Sequence, residues 1–307
     1  MRRNRFLLGI VFVALVTSCG TLKTVRGSWA QKSVKAPEWE MKGYGPQLAS
    51  KFGLMSLFAE TVYRRTYDRE MPSTISTCGK EESEDVNFLM PWVVQGGEKF
   101  TWNRLLVSEV TEVEPCYSGG GLFYETYVLR DEDETILEAV IAYRGTDGPI
   151  EDMKTNLAAA FGREPPQYKD AKVRLQPLVE YLTKASPMIN IYAVGHSLGG
   201  GLAQQAGYLS SDIAEVFAFN SSPITNWSSL ALAKKEEIGI KEHYPVIYRV
   251  NHGGEGLGIV RYISSLFTSS RFNRYDVDFQ LTEKKAVSGH AMKLISCRLA
   301  EEVAAFG

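Results

Sequence analysis

Ile191-Tyr192-Ala193-Val194-Gly195-His196-Ser197-Leu198-Gly199-Gly200-Gly201 decides how this chain is read. A short apolar segment of β character runs into G-x-S-x-G, and an alanine-bearing segment of helical character follows. G-x-S-x-G fixes three positions of five, so alone it is a weak signal. Between a strand and a helix it marks a sharp turn that lifts a serine to the strand's carboxyl end. Gly195 and Gly199 lack a Cβ, which lets the backbone bend tightly on either side of Ser197. The next helix then starts beneath the serine. Its first N–H groups favour negative charge on a bound carbonyl oxygen.

Outward from this turn, helical and strand patterns alternate. Helices are expected at about 151–161, 169–186, 198–210, 226–237, 258–267 and 288–305, and strands at about 189–194, 213–220, 244–251 and 272–280. Such alternation implies βαβ units and a largely parallel sheet with helices on both faces. Before it, Leu105–Val113 reads as a strand. Leu122–Leu129 and Thr135–Arg144 read as a hairpin closed by Arg130-Asp131-Glu132-Asp133-Glu134. Apolar residues from Pro46 to Asp68 recur at helical spacing (Leu48, Phe52, Met55, Phe58, Ala59, Val62), which predicts an amphipathic opening helix. Residues 72–100 are loop-like, and Met90-Pro91-Trp92-Val93-Val94 within them reads as a surface flap or part of a lid.

The chain has 307 residues, 44% hydrophobic and 23% charged, with a formal net charge of -2. This is globular composition with enough length for a sizeable core, and it gives no basic surface for nucleic acid. At the N-terminus, Arg2, Arg3 and Arg5 precede an apolar run from Phe6 to Val16, too short to span a bilayer comfortably. Val16-Thr17-Ser18-Cys19-Gly20 follows, small residues directly before a cysteine. This resembles the bacterial lipoprotein signal. The resemblance implies a signal peptide over 1–18, lipidation of Cys19, a tether over 19–45 and a folded domain over 46–307. Gly20 after the cysteine, rather than an acidic residue, resembles sorting to the outer membrane of a Gram-negative cell envelope. Several acyl chains on one residue would anchor the protein stably.

Three cysteines remain after Cys19. Cys78 and Cys116 lie in polar, turn-rich surroundings and are candidates to pair, though spacing alone does not decide it. Cys297 falls in a helical pattern and is expected as a buried free thiol. No C-x-x-C or H-x-x-x-H metal spacing occurs.

A serine hydroxyl needs a base within hydrogen-bond reach, a group to orient that base, and donors for the oxyanion. The histidines are His196, His243, His252 and His290. With serine, acid and histidine in that chain order, His290 is the candidate base, in a loop after the last expected strand. His196 lies inside the motif and should point elsewhere. The acid should follow a strand end. Tyr248-Arg249-Val250-Asn251-His252-Gly253-Gly254-Glu255 offers Glu255, and Asp276 and Asp278 in the next strand are its rivals. The oxyanion donors are expected to be the N–H of Leu198 and that of Thr146, in Tyr143-Arg144-Gly145-Thr146-Asp147 at the end of an early strand.

Taken together, Ala142-Tyr143-Arg144-Gly145-Thr146, Asp152-Met153-Lys154-Thr155-Asn156-Leu157 and Val194-Gly195-His196-Ser197-Leu198-Gly199-Gly200 resemble the class 3, fungal-lipase-like lipases. The resemblance covers roughly residues 46–305. It implies an α/β-hydrolase fold and a carboxylic ester hydrolase with a lipid-like substrate, working through an acyl-enzyme without metal or organic cofactor. It carries the nucleophile to Ser197, the base to His290 and the oxyanion donor to Thr146. The family's usual aspartate is Glu255 here, and the tryptophan of its D-W run is Met153. Triacylglycerol lipase, phospholipase A1, feruloyl esterase and short-chain esterase types share this triad. An acyltransferase shares its acyl-enzyme. A catalytically inactive, hydrolase-like binding protein is the reading from another class.

Overall fold

A computed structural model of the chain describes residues 45–63, 78, 101–146, 165–224, 245–252, 257, 274–279, 291–297 and 299. The expected signal peptide, the lipidation site and all of the tether but its last residue, Gly45, lie outside these residues; Gly45 opens a helix instead. So do the helices at 151–161, 226–237 and 258–267, the apolar patch at 90–94, and the segment 152–157.

Helix α1 spans Gly45–Thr61. Strands β1 (Thr101–Arg104), β2 (Cys116–Gly119), β3 (Leu122–Arg130) and β4 (Ile136–Tyr143) follow. Helix α2 (Pro166–Ala185), strand β5 (Asn190–His196), helix α3 (Leu198–Leu209) and strands β6 (Ile213–Phe219), β7 (Val246–His252) and β8 (Arg274–Phe279) complete the named elements. Residues 292–297 are also helical.

The strands form one sheet in the order β1-β3-β4-β5-β6-β7-β8, with β2 also on β3. From β4 to β8 every pairing is parallel, while β1, β2 and β4 all pair antiparallel with β3. β4 takes one edge of β3, so β1 and β2 lie end to end along the other. β1 faces Tyr127 to Arg130, and β2 faces Leu122 to Glu125.

Alternation along the central strands divides the core in two. On β4, Val140 and Ala142 face one layer, and Ala139, Ile141 and Tyr143 the other. The first layer is closed by α1, through Phe52, Met55, Phe58 and Ala59, and by Met292, Ile295 and Leu299 near the C-terminus. The second is closed by α2 and α3, through Leu175, Leu178, Leu182, Leu202 and Ala206. Strands covered on both faces read as nearly continuous apolar runs, as in the buried stretches of β4, β5 and β6. This is an α/β-hydrolase fold: a mostly parallel sheet between helical layers, with a strand–turn–helix unit at its centre.

Three expectations need correction. Residues 105–113 are not a strand. The edge strand stops at Arg104, and Leu105 and Val110 instead turn into the second core layer. The opening helix ends at Thr61 rather than continuing to Asp68. Val62 and Tyr63 form a final turn, closed by Val62 N–H to Phe58 O and Tyr63 N–H to Glu60 O. Cys297 is a free thiol but exposed. Ile295 and Leu299 are one turn apart on the core side, and a residue two positions from Ile295 emerges on the opposite face. Cys78 and Cys116 form a disulfide, which fixes Cys78 to the start of β2.

Candidate active site

β5 delivers Ser197 at its carboxyl end, and α3 begins at the next residue, Leu198. Ser197 has φ 56 and ψ -122, the left-handed half of the map that a non-glycine residue rarely occupies. The surroundings hold it there. Ser197 N–H donates to Phe219 O at 3.0 Å. Ser197 O accepts from Gly200 N–H, Gly201 N–H and Ser222 N–H at 3.1, 3.3 and 2.9 Å. The turn works only because its flanks carry no side chains. A Cβ on Gly195 would fall 2.2 Å from Gly199 O, and one on Gly199 would fall 2.1 Å from Tyr143 O. Strain of this kind, held by its surroundings, is typical of functional positions.

The neighbouring strand end supports the turn from the side. Asn220, directly after β6, also has positive φ, at 38. Its N–H donates to Val250 O at 2.8 Å, and its Oδ1 accepts the His252 N–H at 2.7 Å. Asn220 thereby continues the β6–β7 pairing beyond the end of β6. Beneath α3, the Gln204 side-chain amide donates to Ser221 Oγ at 3.2 Å and to Gly200 O at 3.2 Å, and the Gln205 amide donates to Tyr168 O at 2.8 Å. Burial raises the Tyr168 phenol well above its usual range. Burial also raises Tyr143, with Tyr124 adding to the effect. Both remain neutral at any physiological pH.

The buried His196 ring is turned toward Tyr63. Its Nδ1 lies 2.7 Å from the Tyr63 hydroxyl. Thr146 follows Gly145 in the loop after β4, and that loop presses on the elbow. A Cβ on Gly145 would come 3.2 Å from Ser197 Cβ. The segments bearing Ser197, Leu198 and Thr146 are therefore contiguous in space.

Glu255 and His290 lie outside the described residues. Glu255 is three residues beyond His252, the last residue of β7, and His290 directly precedes Ala291. Asp276 and Asp278 are within β8, in register with Arg249 and Asn251. His243 is also outside, and His252 is buried at the end of β7. Among the described residues, no three of His, Cys, Asp and Glu gather closely enough to hold a metal ion. No described helix is long and apolar enough to cross a membrane.

Sequence reasoning did not single out Tyr63, Asn220 or Gln204. A signal existed for Asn220: Asn220-Ser221-Ser222 is a run of small polar residues directly after a buried apolar strand, where the chain must satisfy the strand's last backbone groups.

Comparison with known proteins adds the following. Residues 106–234 match the family model described as "Phospholipase-like: Tle-like phospholipase domain". This is less than half of the chain. It includes Thr146, Ser197 and Leu198, and it ends before Glu255 and His290. No curated protein matches the chain. Among solved structures the chain is similar to lipase II from Rhizopus niveus, at 16% identity and TM-score 0.42, covering 71% of this chain and 77% of that one. It is also similar to the extracellular lipase LipA from Serratia marcescens, at 15% identity and TM-score 0.40, covering 69% and 40%. A third is carboxyl esterase 2 from the mycorrhizal fungus Tuber melanosporum, at 12% identity and TM-score 0.34, covering 82% and 97%.

Proposed function

We propose that the chain is a serine carboxylic ester hydrolase acting on lipid esters through an acyl-enzyme. The observation that carries this is the backbone of Ser197: a non-glycine residue at φ 56 between β5 and α3, packed against the Gly145–Thr146 loop. Such a turn exposes a hydroxyl to base and oxyanion donors at once.

In this reading, Ser197 Oγ attacks the ester carbonyl carbon while His290 takes its proton. The tetrahedral oxyanion is met by the N–H groups of Leu198 and Thr146. Leu198 opens α3, and the first N–H groups of a helix have no partner within it. The C–O bond then breaks, and the alcohol leaves with the proton from His290. Water, deprotonated by His290, releases the acid and restores Ser197. Glu255 holds the imidazole and stabilises its cationic form. It stands three positions after His252, the last residue of β7, and β7 is two strands or roughly 10 Å across the sheet from β5. β8, which carries Asp276 and Asp278, stands one strand further from β5, and this supports Glu255 over them.

A phospholipid is the first substrate class to try, because the matched family model is phospholipase-like. Triacylglycerol is the second, on the class 3 resemblance. We further propose attachment to the cell envelope through a lipidated Cys19. The Cys78–Cys116 disulfide supports this placement, since such bonds persist in oxidising compartments outside the cytosol.

The test is hydrolysis of aryl esters from short to long acyl chains, and of phospholipid vesicles, by the purified full chain and by Ser197→Ala. We expect serine-dependent turnover favouring long chains. Turnover that survives Ser197→Ala removes the serine mechanism. Serine-dependent turnover confined to short chains removes the lipid substrate.

A further inference from the structure

We propose that Tyr63 is a positioning residue whose hydroxyl holds the nucleophile elbow and the oxyanion loop in register. The proposal rests on the roles assigned above to Ser197 and Thr146, and it adds a residue that neither the motif nor the triad contains.

Tyr63 follows α1 and is buried, with its ring tilted against the His196 ring at a centroid distance of 5.9 Å. Its hydroxyl lies 2.7 Å from His196 Nδ1. The same hydroxyl touches the second half of the site. A Cβ on Gly145 would meet Tyr63 Oη at 2.6 Å, His196 O at 2.6 Å and Ser197 Cβ at 3.2 Å. Phenol, elbow backbone and nucleophile therefore converge on one Cα, and Thr146 is bonded to that residue.

Tyr63 is also held from its own side of the contact. Its N–H is tied to Glu60 O, and α1 is fixed by Phe52 and Phe58 in the aromatic layer. The hydroxyl is thus a fixed point on the α1 side. The β5–α3 turn abuts it through His196, and the loop after β4 abuts it through Gly145. The oxyanion donors come from these two separate segments, Leu198 from one and Thr146 from the other. Their separation must be held to a fraction of an ångström, because a misplacement of about 1 Å can cost about 100-fold in rate.

Tyr63→Phe tests this. It keeps the buried ring and removes only the hydroxyl, so the fold should survive. The full chain, Tyr63→Phe and Ser197→Ala are compared on one aryl ester well below their Tm. The rate of covalent labelling of Ser197 by an alkyl fluorophosphonate is measured alongside. We expect kcat and the labelling rate of Tyr63→Phe to fall about 10- to 100-fold, below the loss of a whole oxyanion donor at about 100- to 1,000-fold, with KM within about twofold of wild type. An unchanged kcat overturns the proposal, even if Tm falls, and leaves Tyr63 a packing residue. A raised KM at constant kcat also overturns it, by moving Tyr63 to substrate binding. Loss of turnover in Ser197→Ala beside full kcat in Tyr63→Phe overturns this proposal alone. Turnover that survives Ser197→Ala overturns the serine reading and this proposal with it.

Discussion

The elbow and the aromatic layer on the opposite face of the sheet are built on opposite principles. At the carboxyl end of the sheet, the face under α3 is close because side chains are missing: the elbow closes onto Gly195 and Gly199 at distances that no Cβ tolerates. The face under α1 is close because side chains are large. Phe52, Phe58, Trp102, Tyr127, Phe217 and Tyr248 interlock there, with Phe58 lying 4.8 Å from Trp102 and 4.9 Å from Tyr127 between ring centroids. The first arrangement fixes a backbone conformation and tolerates nothing added. The second supplies buried area and tolerates little removed. The elbow's backbone geometry and the bulk of the aromatic layer are therefore separable by substitution, with Tyr63 as the point where the two meet.

The most severe break in this division is Gly199→Ala. The added methyl meets the carbonyl oxygen of Tyr143, a backbone atom of a central strand that cannot swing aside. We expect ester turnover to vanish. Stability should also fall, by an amount at or above the upper end of the about 1–3 kcal/mol typical of overpacking, read by chemical denaturation. Turnover within tenfold of wild type would show that the elbow has slack, and the contrast between the faces would lose its basis.

Phe58→Ala is the complementary change. Phe58 is fully buried, and deleting such a ring costs about 3–5 kcal/mol. Chemical denaturation should show that loss, while kcat per folded molecule, measured well below Tm, stays close to wild type. A kcat that falls with stability would mean that the aromatic layer also sets the site's geometry. The coupling through Tyr63 would then be broader than one hydroxyl.

How much of this was legible in the sequence follows the same division. The elbow was readable because its constraint is local: Gly195, Ser197 and Gly199 are adjacent in the chain, and a buried parallel strand announces itself as an apolar run. The β3–β4 hairpin, the four strands β5 to β8, and α2 and α3 were all anticipated to within a few residues. The sheet's outer edge was not. Leu105 to Val113 carries enough apolar residues to resemble a strand, yet after the Leu105 N–H pairs with Thr126 O of β3 the chain turns away, burying Leu105 and Val110 in the layer that α2 closes and leaving Val107 exposed. The true edge piece, Cys116–Gly119, has no apolar run at all. It is a strand because β3 offers an open edge and Cys78 is bonded to Cys116. Tyr63 and Asn220 escaped for a related reason. Their partners, His196 and His252, are 133 and 32 residues away, and nothing in the local pattern marks such contacts.

The smallest effect belongs at the rim of the aromatic face, where large apolar contacts give way to charge. Near the amino ends of the parallel strands, Glu138, Tyr192 and Glu215 sit on the α1 side, and the Tyr248 hydroxyl donates to Glu215 Oε1 at 3.2 Å. Burial raises the Glu138 carboxyl above its usual range. The Tyr192 phenol is pushed up to about 12, by burial first and then by the carboxylates of Glu138 and Glu215. A carboxyl raised in the folded state holds its proton to higher pH than it does in the unfolded chain. Between those two pKa values the native state binds more protons, so stability falls as pH rises through the window and stays reduced at neutral pH. Glu138→Gln keeps the shape and removes the charge. Its denaturation midpoint should match or trail wild type at about pH 4 and exceed it slightly at pH 7, with the difference opening as pH rises. A difference that is flat with pH would mean that Glu138 ionises as freely in the folded protein as in the unfolded one. The aromatic layer would then end at a solvated border, and the contrast between a face defined by what is missing and a face defined by what is buried would hold only at the sheet's carboxyl end.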